Sequence, residues 1–141
     1  MPIPFPPNED ISHEYEVFIT REGSGVDAIE RVATRNTYQG DVMIQGPYCG
    51  VAINTCLINE LVTMDITEGC EVGIDHTTIE AGSTFQVVDA PLYWNNTTRK
   101  FADHDTPGVT YLWGYVNQPQ VAPGDNFKAL KRRFWIQEPS T

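Results

Sequence analysis

From Asn36 to Thr98 the chain has no lysine and no arginine, yet Asp41, Glu60, Asp65, Glu68, Glu71, Asp75, Glu80 and Asp89 all fall there. With a net charge of −10, it lacks the cationic surface that phosphate binding needs, so no nucleic-acid partner is expected. No apolar run approaches the roughly 20 residues of a membrane-spanning helix, so no membrane partner is expected either. Met1 to Pro7 contain no basic region and no apolar stretch, so a signal peptide is not expected and the chain should stay in the cytosol where it is made. Cysteine is scarce: Cys49, Cys56 and Cys70 are odd in number and lack a Cys-x-x-Cys spacing. Buried free thiols are the expectation, ahead of a disulfide or a metal site.

Catalytic signatures are missing as well. The first lysine is Lys100, and no lysine follows a Gly-x-x-x-x-Gly run, so there is no phosphate-cradling loop. Gly23-Ser24-Gly25 reads as a turn. His13, His76 and His104 are scattered without ligand spacing, so no metal and no cofactor are expected. Asp75-His76 and Asp103-His104-Asp105 read as solvated loop acids. No catalytic residue is assigned and no enzyme is expected, although 19 acids leave a carboxylate pair for glycoside hydrolysis open.

What is present is a strand pattern. A chain of 141 residues makes one domain that buries roughly two-thirds of its surface. Tyr15, Val17 and Ile19 alternate with Glu14, Glu16 and Thr20. Further strands are predicted over 41–45, 50–53, 61–66, 71–74, 85–88, 92–94, 111–116 and 127–137, punctuated by Gly40, Gly46-Pro47, Gly69 and Gly82. That pattern predicts an all-β fold, a small antiparallel β-barrel or sandwich. Only Val26 to Thr37 is ambiguous between a short helix and a strand.

The N-terminus differs from the rest. Four of the ten prolines fall in the first seven residues, so residues 1–13 are expected to form an extended Pro-rich arm and residues 14–141 the single domain. Ile3 and Phe5 have nothing local to pack on. The arm is either a loose tail or a docking segment that orders on a partner.

The most informative stretch is Ala90 to Phe101. Leu92-Tyr93-Trp94 favour a strand, and Asn95-Asn96 can supply the positive φ of a hairpin turn. Asn95-Asn96-Thr97 and Asn96-Thr97-Thr98 match a glycosylation pattern but read better as turn residues. This hairpin resembles one in small β-barrel decoration, or cement, proteins of tailed bacteriophages. Gly40-Asp41-Val42-Met43-Ile44, Gly50-Val51-Ala52, Ile66 to Val72, Leu112-Trp113-Gly114-Tyr115-Val116 and a final strand over Phe127 to Ile136 are similar to successive segments of that family. The resemblance covers about Gly40 to Trp135. Such proteins are sometimes labelled RecA-like recombinases, a label the missing phosphate loop rejects.

The resemblance implies a structural virion protein, made in the host cytoplasm. It would bind the outer surface of an assembled capsid as a homotrimer and clamp neighbouring major capsid protein subunits. The candidate capsid-binding arm is Pro2, Ile3, Pro4, Phe5, Pro6 and Pro7, able to add a strand to a capsid sheet edge. Tyr111, Trp113 and Tyr115 carry more apolar bulk than a small barrel must bury, and Lys131, Arg132 and Arg133 form a basic run. These six are the candidate oligomer or capsid interface, with a solvated edge strand as the plainer reading of the basic ones. The alternative is a carbohydrate-binding or adhesin module of a virion appendage. Buried Trp94 and Trp113 favour decoration, whereas an exposed coplanar aromatic strip favours sugar binding.

Overall fold

Alternating apolar residues should bury one face of each strand, and two such faces close a core. The computed structural model describes residues 16–21 and 27–136. The arm expected over residues 1–13 lies outside them. Ten strands form two antiparallel sheets. The large sheet has β1 (Val17–Arg21), β6 (Glu71–Ile74), β10 (Phe127–Lys131), β9 (Thr110–Gln118), β7 (Pro91–Asn95) and β8 (Lys100–Ala102) in that spatial order. The small sheet is β2 (Ala28–Val32), β5 (Leu61–Asp65), β4 (Tyr48–Ala52) and β3 (Val42–Gln45), again in spatial order. Bulges between Ile19 and Arg21, Leu92 and Tyr93, and Lys128 and Ala129 increase the twist, and the large sheet curls.

The core lies between the sheets. Val42, Cys49 and Val51 of the small sheet meet Val72, Leu92, Trp94, Phe101, Trp113 and Phe127. The Phe101 ring lies 4.7 Å from Trp94 and 5.3 Å from Trp113, centroid to centroid. Gly114 is required here: a Cβ would come 2.5 Å from the Leu130 carbonyl oxygen, closer than a methyl group tolerates. The β3–β4 loop is Gly46-Pro47, with Gly46 at φ +57°. Glycine first is what a two-residue hairpin loop of type II′ needs.

Among its described residues, the ambiguous segment holds a strand and no helix. All five residues of β2 pair with β5, and the described residues contain one 3₁₀ turn, His76–Thr78, and no α-helix. Two expected strands fall short. Phe85 to Val88 is a loop, because the Gln120 side-chain oxygen takes the Phe85 N–H at 2.6 Å and the Gln120 N–H takes the Phe85 carbonyl. Phe85 still reaches the core, stacked 4.7 Å from Phe127. The last strand ends at Lys131 instead of Gln137. Arg132 donates to Trp113, and Trp135 donates to Pro47 in the loop of the small sheet. The chain therefore crosses from one sheet to the other.

Candidate functional site

The hairpin singled out in the sequence forms, as β7, a four-residue turn and β8, with Asn95 opposite Lys100. Its positive φ lies on Arg99, at +57°, and not on the asparagines. They act through their side chains: Asn95 Oδ1 accepts from the Thr97 and Thr98 N–H groups, and Asn96 Oδ1 accepts from Trp94 Nε1 and Arg99 Nη1. This turn aims Arg99 at the edge of the small sheet. Its guanidinium grips Glu16 through two bonds, Nη2 to Oε1 at 2.6 Å and Nε to Oε2 at 2.8 Å. It also lies over the Trp94 ring, 5.0 Å from the centroid. Val42, on the outermost strand, donates its N–H to Glu16 Oε1 and offers its carbonyl to Arg99 Nη2. Carboxylate and guanidinium thus stand in for a neighbouring strand, and three segments distant in sequence are tied at one point. No sequence signal pairs Glu16 with Arg99, which are 83 residues apart.

The opposite edge of the small sheet is finished differently. In the β2–β5 ladder the Asp27 carbonyl and the Ala33 N–H bond inward, to Ile66 and Glu60. Antiparallel alternation then turns the backbone groups of Ala28, Glu30 and Val32 outward. Among the described residues no strand pairs with that side. One outward carbonyl, that of Glu30, accepts from the Arg31 side chain. The same residues overhang the core. Val32 sits directly across from Leu61, and Ile53 donates its N–H to Thr63. These side chains continue the face that Val51 and Cys49 bury, but past the end of the large sheet. Val32 is 53% exposed, Leu61 57%, Ile58 49% and Ile53 39%.

Inside the molecule, Lys131 is fully buried and donates from Nζ to the Cys49 and Arg132 carbonyls, each at 3.0 Å. Burial lowers its pKa, against the pull of Cys70, Cys49, Asp65 and Glu68. Burial also pushes the Cys49 thiol up to about 12. All three cysteines are buried and none is in a disulfide, as their spacing led us to expect. Among the described residues no group of three His, Cys, Asp or Glu side chains could hold a metal. A groove of about 350 Å³ on the large sheet is lined in part by Gly73, Asp75, Gln118, Asn126, Phe127 and Lys128.

A family model described as phage cement protein matches residues 21–132. The chain belongs to the phage cement protein family. It is a structural protein of the phage virion that stabilises the capsid, and its partners are capsid proteins. No curated protein and no solved structure matches it. The family match starts upstream of Gly40, where the sequence resemblance begins, and so takes in β2 and its open edge.

The cement protein distributes the six expected interface residues unevenly. Trp113 and Lys131 are buried inside the chain, where they hold the sheets together and offer no contact to a partner. Trp113 occupies the bulge of β9 that faces the core, and Lys131 continues the buried side of β10 after Phe127 and Ala129. Tyr115 is exposed on the outer face of the large sheet, opposite Pro91. Tyr111 is half-buried in an edge-to-face contact with Trp135, at 4.8 Å. Arg132 and Arg133 are half-buried too. Arg133 pairs with Asp27 at 2.9 Å and lies over Phe134, which stacks on Tyr48. The six arm residues, Pro2 to Pro7, lie outside the described residues.

Proposed function

We propose that this cement protein attaches to the outer surface of the assembled phage head as a homotrimer and clamps neighbouring major capsid protein subunits. The family match over residues 21–132 carries this reading. The burial of both Trp94 and Trp113 supports it over sugar binding, since neither ring is available to stack on a carbohydrate. Binding that favours the assembled lattice stabilises that lattice by mass action, and three contacts in one trimer multiply through avidity. Tyr111, Tyr115, Arg132 and Arg133 are the expected interface residues that keep accessible surface. The arm lies against a neighbouring subunit or capsid protein with Phe5 as its main anchor, because a buried aromatic side chain contributes roughly 1.5–3 kcal/mol. Deleting residues 2–12 should leave the domain folded and weaken attachment to undecorated heads at least tenfold, about 1.4 kcal/mol. Unchanged affinity would reduce the arm to a tail.

A further inference from the structure

The open edge of β2 and the sequence of the arm fit each other. Prolines occupy positions 2, 4 and 6, while Ile3 and Phe5 between them keep their N–H groups. In an extended chain alternate residues point their backbone groups to opposite sides. Ile3 and Phe5 can therefore bond to one neighbour, and the three prolines, which have no N–H to lose, face away from it. Such a segment can join a sheet only as its outermost strand. Pro7 falls on the bonding side and ends the ladder.

We propose that Ile3 to Phe5 of one copy add to the β2 edge of a second copy as a short antiparallel fifth strand of its small sheet, with Ile3 opposite Val32 and Phe5 opposite Glu30. In an antiparallel ladder, residues that exchange both hydrogen bonds also share a face. The two arm residues able to bond are thus the two whose side chains land on the face shared by Val32 and Leu61, Ile3 directly beside Val32 and Phe5 beside Glu30 with Thr63 one strand further in. We take the occupant from a second copy because the trimer proposed above brings copies together, and Val32 and Leu61, each more than half exposed, offer apolar surface to it. The alternate prolines then protect the new edge from further addition, so the exchange stops at one strand per sheet. This deepens the oligomer reading above by naming the contact.

Cross-linking in solution tests it without any capsid, so its failure is distinguishable from failure to bind heads. Chains carrying Ile3→Cys and chains carrying Val32→Cys are mixed under mild oxidation. Directly bonded residues of paired strands sit about 5.5 Å apart at Cα, within disulfide reach, and the three buried native thiols do not compete. A disulfide joining one chain of each kind is the expected product. Absence of that product overturns the proposal, and so does a link formed within a single chain when both substitutions are combined at high dilution. A second measurement separates backbone pairing from apolar contact. Ile3→Pro should weaken self-association at least tenfold by removing a bonding N–H, while Pro4→Ala, facing away, leaves it unchanged. Equal effects of the two, or a wild-type chain that sediments as a monomer at the highest concentration reached, would also overturn it.

Discussion

The two edges of the small sheet receive opposite treatment. At β3 the outward N–H and carbonyl of Val42 are met by the Glu16 carboxylate and the Arg99 guanidinium. At β2, among the described residues, the outward groups have no strand beside them, and a single arginine covers one carbonyl. An unpaired edge invites association, and proteins commonly close one that has no use. Among the described residues, side chains thus meet both outward groups of Val42 at β3 but a single carbonyl at β2. The open edge is also the one beside the uncovered apolar side chains of Val32 and Leu61.

The largest expected effect lies at the closed edge. Arg99→Ala leaves the Glu16 carboxylate and the Val42 carbonyl in a mostly buried place without their cation. Unfolding in urea should report a loss of about 3 kcal/mol, the usual result of removing one member of a buried pair. A loss under 1 kcal/mol would mean that water reaches the clamp freely and that the two edges differ little. Covered and uncovered parts of the same sheet face can then be set side by side. Val51→Ala, under the large sheet, should cost about 2 kcal/mol through the cavity it leaves. Val32→Ala, on the overhang, should stay within about 0.5 kcal/mol in the monomer. Similar costs would show that the overhang is packed after all.

The smallest effect compares two cations. Arg99 has a carboxylate partner, whereas Lys131 is buried against carbonyls. The Lys131 pKa is lowered in the folded chain, while the unfolded value is near 10.4. Between those two values the unfolded chain binds more protons, so the lysine contribution to stability rises with pH, and the cost of burying the charge is felt in full below the folded pKa. Lys131→Met should therefore differ most from wild type near neutrality, and the difference should change steadily as pH approaches 10.4. Cys49 adds an opposite trend, since its raised pKa removes stability above the ordinary thiol range, and the charge of Lys131 partly offsets that rise, so the comparison is read below that range. Parallel stability curves would show that Lys131 stays charged throughout.

Most strands were legible because glycine and proline punctuate them and apolar residues alternate between. Phe85 to Val88 misled because its apolar composition says nothing about Gln120, a side chain 35 residues away that takes the place of a ladder. Lys131 was legible and overlooked. Phe127, Ala129 and Lys131 share one parity, and β10 buries all three, so alternation outranks charge in placing it. Trp113 was hidden by the bulge opposite Leu92 and Tyr93, which breaks the parity that would have assigned its face. The clamp of Glu16 and Arg99 had no local signal, since neither residue is remarkable where it stands in the chain. The open edge of β2 could not be read either, because which strands lie outermost is a property of sheet order.

The clamp also decides how force enters the molecule. Glu16 immediately precedes β1, so tension arriving from the N-terminal side meets the two-bond grip of Arg99 before it reaches the β1–β6 ladder. From there the load divides between the β7–β8 turn and the rim strand β3. A pull on the N-terminal segment is thus spread over both sheets at one mooring, and the first strand is not peeled away alone.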